Sequence, residues 1–320
     1  MTKKNEEFNP TLPQGYPLKE NVVGEARKFV DDFQENLYGK NVYRVLGINP
    51  DKTFLLEGKP GLGKTLGIKT INNTLNRHIT KRLEDIAIKE GKTEDRIKLS
   101  EFNILLFEYD IGKYGTAYIN MGSKIIQNFF DTAFAYAGMG KPVLVSVDEA
   151  DSLFTSRKSK VQSHSEDRKI LDTLMKNIQI AHDTDNIYVT LMTNLSEDMD
   201  EASLRAGRID KKIKLELPNK EERKIAYEHA INQANNKAKY KVIRIKDINT
   251  LANLSDNFNY ADIFQSVESS LRIKAKDLIR TKTKGVVRAG YIQQGSLERA
   301  INSHKDSFKG KKKSIGFGCI

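Results

Sequence analysis

Hydrophobic positions along the chain fall into two regimes that meet near Pro218. Before it, short continuous apolar runs alternate with stretches of helical period. Thr53–Glu57, Phe102–Glu108, Pro142–Val147 and Ile187–Met192 are apolar along their whole length, the pattern of strands buried on both faces. Between them, apolar residues recur at helical spacing in Asn21–Tyr38, Leu66–His78, Ser123–Ala137 and Ile170–Ala181, and Val42–Leu46 is a further short apolar piece. Ile79–Ser100 is charge-rich and amphipathic, and predicts a helical extension ahead of the second strand. Asp110–Gly122 and Asp151–Arg168 read as loops, and Lys211–Leu217 alternates as an edge strand does. Strands alternating with helices predict an α/β fold, a parallel sheet with helices on both faces. After Pro218 the period is helical only: Glu221–Ala234, Lys246–Leu254, Tyr260–Ile279 and Ser296–His304. The expected divisions are an arm over 1–20, an α/β domain over 21–218, a small helical domain over 219–306 and a basic tail over 307–320.

Composition narrows the classes. With 320 residues, 38% of them hydrophobic, the chain can build a large and a smaller core. No apolar run reaches the roughly 18 residues of a membrane span. The first ten residues lack the apolar segment of a secretory leader. The single cysteine, Cys319, excludes an internal disulfide and fits a reducing, cytoplasmic setting, and it is not fourth from the end as a prenylation signal requires. The net charge of +11 is uneven: residues 272–320 hold 13 Lys+Arg against 3 Asp+Glu, leaving about +1 for the rest. Such an end is either a solvated helix face with a tail or a surface for nucleic acid.

The chemistry concentrates at the C-terminal ends of the predicted strands. The first runs into Gly58-Lys59-Pro60-Gly61-Leu62-Gly63-Lys64-Thr65, the G-x-x-x-x-G-K-T spacing. Glycines there let backbone N–H groups close around phosphates, and the following helix starts with its positive end at the same place. Lys64 would reach the β- and γ-phosphates and Thr65 would bind Mg²⁺. The third strand delivers Asp148 and Glu149, one carboxylate to hold Mg²⁺ and one to act on water. Asn194 follows the fourth strand, either as a turn residue or as a polar group reaching the γ-phosphate. Farther on, Arg205 and Arg208 stand three apart around a glycine, as a salt-bridge cluster or as phosphate-directed guanidinium groups.

In that order, GKPGLGKT, VLVSVDEAD and TNLSEDMDEASLRAGRID resemble the AAA+ ATPases, and within them the AAA clade in the narrow sense. The resemblance runs from about Val22 to Ile301. It implies a P-loop NTPase sheet followed by a small helical lid domain, with Mg·ATP bound between the two. Lys64 and Thr65 then resemble the Walker A pair, with Pro60, Gly61, Leu62, Gly63 and Leu66 around the nucleotide. Asp148 and Glu149 resemble Walker B, and Asn194 resembles sensor 1. Arg205 and Arg208 resemble arginine fingers acting on the neighbouring subunit's nucleotide, which implies a homo-oligomeric ring, a hexamer. Val23-Gly24 is similar to the segment beside the adenine, and His229 falls where the lid often puts a histidine near the base. Tyr118-Ile119 resembles the aromatic–aliphatic pair of the pore loop, although Asn120 replaces the glycine, and Tyr114-Gly115 offers another register. The other reading of Tyr118 is a core residue of the next helix, against which the glycines at 112, 115 and 122 favour a loop. Lys59 before Pro60, Tyr260 in place of a glycine and the long 79–100 segment depart from the family's pattern. The expected activity is ATP-driven remodelling or unfolding of a protein client through a central pore. The alternative is a nucleic-acid-associated ATPase that uses the basic C-terminal region.

Overall fold

A computed structural model of the chain describes residues 8, 10, 22–89, 104–112, 121–155, 164–194, 209–238, 241–280 and 291–313. It divides into two compact units, Met1–Pro60 with Lys64–Leu215, and Gly61–Gly63 with Glu216–Ile320.

The first unit contains α1 (Gly24–Tyr38), α2 (Lys40–Val45), β1 (Thr53–Glu57), α3 (Lys64–Lys89), β2 (Leu105–Asp110), α4 (Gly122–Gly138), β3 (Val143–Asp148), α5 (Asp151–Thr155), α6 (His164–Asp183), β4 (Ile187–Thr193) and β5 (Lys211–Lys214). The five strands form one sheet in the order β2-β3-β4-β1-β5, and every pairing is parallel. Every residue of β1 and of β4 is buried, which is why both sequences are mostly apolar and lack polar–apolar alternation, with Thr53, Glu57, Thr190 and Thr193 as their buried polar positions. Successive side chains still point to opposite faces. On one face Phe54 of β1 meets Phe29 of α1 with ring centroids 5.5 Å apart, and Tyr188 of β4 meets Phe33 at 5.0 Å. On the other, Leu55, Val189 and Leu191 join Phe129, Leu174 and Ile178 of α4 and α6 in one core.

The predicted elements and the observed ones differ mainly at their ends. Strand β2 runs to Asp110, two residues beyond the apolar run, because its pairing with β3 continues to Asp110 opposite Asp148. The polar segment read as a loop over Asp151–Arg168 is helical at both ends: 151–155 form α5, and α6 starts at His164. Helix α3 is continuous through the boundary expected at His78 and extends to Lys89. The short apolar piece at Val42–Leu46 forms α2 and is exposed, Val42, Val45 and Leu46 at 62%, 86% and 66%. In the N-terminal arm, Phe8 packs edge-on against Phe129, centroids 5.2 Å apart.

The second unit is helical: α7 (Lys220–Lys237), α8 (Ile248–Leu254), α9 (Tyr260–Arg280) and α10 (Gln294–Lys313). Its start is set locally. The Asn219 side chain accepts the Glu222 N–H at 3.0 Å, and the Glu222 carboxylate accepts the Asn219 N–H at 2.9 Å, a reciprocal cap that satisfies two helix-end donors. Tyr227, Leu251, Ile263, Leu297 and Ile301 form its buried centre. A parallel bridge joins Ile243 and Ile292 at its edge. Helix α10 continues through Lys313, so the first part of the expected basic tail is helical.

Candidate nucleotide site

The sheet order sets where a ligand can enter. The connection after β1 leaves toward the β2 edge, and the one after β4 leaves toward β5 on the opposite side. Loops that diverge in this way open a crevice at the carboxyl ends of the two strands between them. Four of the polar groups singled out in the sequence reach that edge of the sheet: Lys64 after β1, Asp148 and Glu149 at the end of β3, and Asn194 after β4.

The Gly58–Thr65 loop continues directly from β1, and the Gly58 N–H donates to the Thr193 carbonyl of β4 at 3.2 Å. Gly61 and Gly63 have φ of +84° and +91°, values that a side chain would strain. The Lys64 ammonium is turned into the loop, donating to the carbonyl oxygens of Gly58 and, at 3.3 Å, Lys59. It also donates to Asn194 Oδ1 at 2.7 Å, so the two residues meet across 130 positions of sequence. Burial pushes the Lys64 pKa down from the usual lysine value, while the carboxylates of Asp148 and Asp151 oppose that shift. Thr65 is exposed on the first turn of α3, and Leu66 follows it half-buried.

Glu149 has φ of +56°, a left-handed backbone that is rare outside glycine and is characteristic of residues held for function. Its N–H donates to Asp148 Oδ1 at 2.8 Å, and the Ala150 N–H ties the same turn to Met192 of β4 at 3.0 Å. The Glu149 pKa is raised, first by desolvation and then by the carboxylates of Asp110, Asp148 and Asp151. A Cβ added to Gly112 would collide with Glu149 Oε2 and crowd Asp110 Oδ1, so this glycine keeps room for the carboxylate.

Asp151 and Asp110 had no role assigned from the sequence. The Asn194 N–H points to Asp151 Oδ1 at 3.4 Å, which links the turn after β3 to the end of β4. The adjacency of Asp151 to Asp148-Glu149 in VLVSVDEAD was its available signal. Asp110 had none, because only the parallel register sets it opposite Asp148.

Asp148 and Thr65 offer hard oxygen donors that fit Mg²⁺. Among the described residues no group of three or more His, Cys, Asp or Glu side chains could hold a metal ion.

The remaining sequence-assigned residues lie elsewhere or outside the described set. Val23 precedes α1 in extended conformation, and Gly24 opens that helix with φ of +64°. In the second unit, His229 packs edge-on against Phe264 with centroids 5.8 Å apart, and burial lowers its pKa. Arg205, Arg208, Tyr114, Tyr118 and Ile119 lie outside the described residues.

Residues 54–217, just over half of the chain, match the ATPase family associated with various cellular activities (AAA). The chain belongs to this family. The AAA match spans all five strands and ends at the reciprocal cap that opens the second unit. Among curated proteins, a proteasome-associated ATPase of Sanguibacter keddieii is 32% identical over 185 residues, 57% of this chain and 32% of that one. An AAA ATPase forming ring-shaped complexes from Corynebacterium glutamicum is 32% identical over 180 residues, 56% of this chain and 30% of the relative. A proteasome-associated ATPase of Salinispora arenicola is 33% identical over 181 residues, 57% and 28% respectively. The chain spans about a third of the length of these relatives. No described helix is long and apolar enough to cross a membrane.

Proposed function

We propose that the chain is the ATP-hydrolysing, Mg²⁺-dependent motor of a hexameric AAA ring that remodels or unfolds protein clients through a central pore. The observation that carries this reading is the convergence of Lys64, Asn194, Asp148 and Glu149 at the carboxyl ends of three neighbouring strands. The loop N–H groups and Lys64 bind the β- and γ-phosphates. Asn194, in contact with Lys64, would act on the γ-phosphate. Thr65 and Asp148 hold Mg²⁺, which when bound supplies charge neutralisation across the phosphate oxygens. Glu149 orients the attacking water and accepts its proton, and its raised pKa makes it a better base than an ordinary surface glutamate. Val23, Gly24 and His229 bind the adenine side of the nucleotide. Arg205 and Arg208 complete the site of the neighbouring subunit in trans, which is why an assembly is required. Tyr118 and Ile119 grip the client. Similarity to one relative that forms ring-shaped complexes and two that are proteasome-associated supports the ring and the protein client.

Two substitutions test the reading together. Lys64→Ala should abolish ATP binding in a calorimetric titration, because the phosphates lose their point charge. Glu149→Gln should bind ATP within a few-fold of wild type while turnover falls by about 10² or more, the usual worth of a positioned base. Wild-type affinity in Lys64→Ala, or undiminished turnover in Glu149→Gln, overturns the assignment.

A further inference from the structure

The second unit carries a cavity of about 870 Å³ that the nucleotide chemistry does not use. Its volume is in the range of built ligand sites. Its walls come from the end of α7, residues 241–248, and the segment from Tyr291 into α10. The Ile243–Ile292 bridge joins two of these walls. Asn235 Oδ1 fixes a third by accepting the N–H groups of Val242 and Ile243, both at 2.9 Å. The floor therefore has a defined shape, with apolar Ile231, Ile245 and Ile248 on it.

The rim is charged, with both signs present. The Arg244 guanidinium lies 3.6 Å from the Tyr291 ring centroid and donates to the Tyr291 hydroxyl at 2.6 Å, so it is held flat at the mouth. Lys241 and Lys246 are exposed on the same rim. Glu228 and Glu298 face the cavity from the helices, and Glu298 is engaged by the Gln294 amide at 2.9 Å.

We infer that this cavity docks a short acidic, apolar peptide segment of a partner protein. Three rim cations match carboxylate side chains, and the planar Arg244 can pair with a carboxylate through two parallel N–H donors. The isoleucine floor takes the apolar residues between them. The two glutamates interrupt the positive rim: a nucleic acid, charged at every residue, must set phosphates against them, whereas a peptide can space its carboxylates opposite the three cations and turn backbone N–H donors toward Glu228 and Glu298. The site lies wholly in the second unit and does not depend on ATP chemistry.

The test is fluorescence anisotropy on the full chain with a labelled peptide of alternating glutamate and leucine, its lysine–leucine counterpart, and oligouridylate. The acidic peptide should bind saturably and at least tenfold more tightly than the basic one. Joint Lys241→Glu and Lys246→Glu substitution should weaken it tenfold or more, with the melting temperature and basal ATP turnover unchanged because both side chains are exposed. Arg244→Lys should retain part of the affinity that Arg244→Ala loses, since it keeps the charge and gives up the planar fork. Absence of saturable binding, equal binding of the basic peptide, insensitivity to the rim substitutions, or preferential binding of oligouridylate would each overturn the proposal.

Discussion

At the residue scale, the candidate site is a set of carboxylates crowded around one constrained backbone position. Glu149 sits at φ +56° with Asp110, Asp148 and Asp151 close enough to raise its pKa. Two consequences follow from the sign of that shift. Removing the Asp110 charge by Asp110→Asn lowers the Glu149 pKa, so the acid limb of the pH–rate profile should move to lower pH; a limb that stays put or moves up would show that Asp110 does not act on Glu149. The folded state also holds the Glu149 proton more tightly than the unfolded chain does. Stability is therefore lost as pH rises from the unfolded pKa through the folded one, and Glu149→Gln should melt higher than wild type at neutral pH. Gly112 belongs to the same cluster. Gly112→Ala places a methyl against the Glu149 carboxylate, whose end can swing away. The fold should survive, ATP affinity should hold, and turnover should drop severalfold; wild-type turnover in this variant would mean the carboxylate has room to spare.

At the element scale, polar side chains set where strands begin. The Asp210 carboxylate accepts the backbone N–H groups of Lys52 and Thr53 at 2.8 and 2.9 Å and also meets His182, so it fixes the start of β1 just ahead of the phosphate loop. Asp210→Ala should cost about 2 kcal/mol in urea unfolding, the range for a lost charge-assisted hydrogen bond that leaves the part-buried Thr53 N–H without its carboxylate, while Asp210→Asn should recover part of it. No loss in either variant would mean that water replaces the carboxylate. Asn76 does a similar job for β2. Buried in α3, it accepts the Ile104 N–H at 2.8 Å. Asn76 is itself held by Asn72, whose Oδ1 accepts from the Asn76 amide at 2.9 Å.

At the scale of the whole molecule, the proposed ring makes activity a property of pairs of subunits. Arg208→Ala chains keep an intact phosphate loop, and Lys64→Ala chains keep an intact finger. Each is expected to be inactive alone. Mixing them should restore measurable ATP turnover at interfaces that combine the two intact halves. If mixed assemblies form yet show no recovery, Arg208 does not act across subunits.

The linear pattern was sufficient for the architecture. Strands buried on both faces are mostly apolar, so β1, β3 and β4 are legible as runs, and the glycine spacing before Lys64 marks the tight loop after β1, where Gly61 and Gly63 take positive φ. The change of period at Pro218 lies just ahead of α7, where the Asn219–Glu222 cap is a local signal for a helix start. Other features depend on contacts between distant segments, which a one-dimensional pattern does not record. The short apolar piece that forms α2 faces solvent, since burial is decided by what packs against it. Strand β2 outlasted its apolar run because the β3 backbone continued to offer partners. Asp110 became part of the site only through that register, Lys64 and Asn194 met only because β1 and β4 are adjacent in the sheet, and the cavity beside Arg244 exists only where a bridge brings 243 and 292 together.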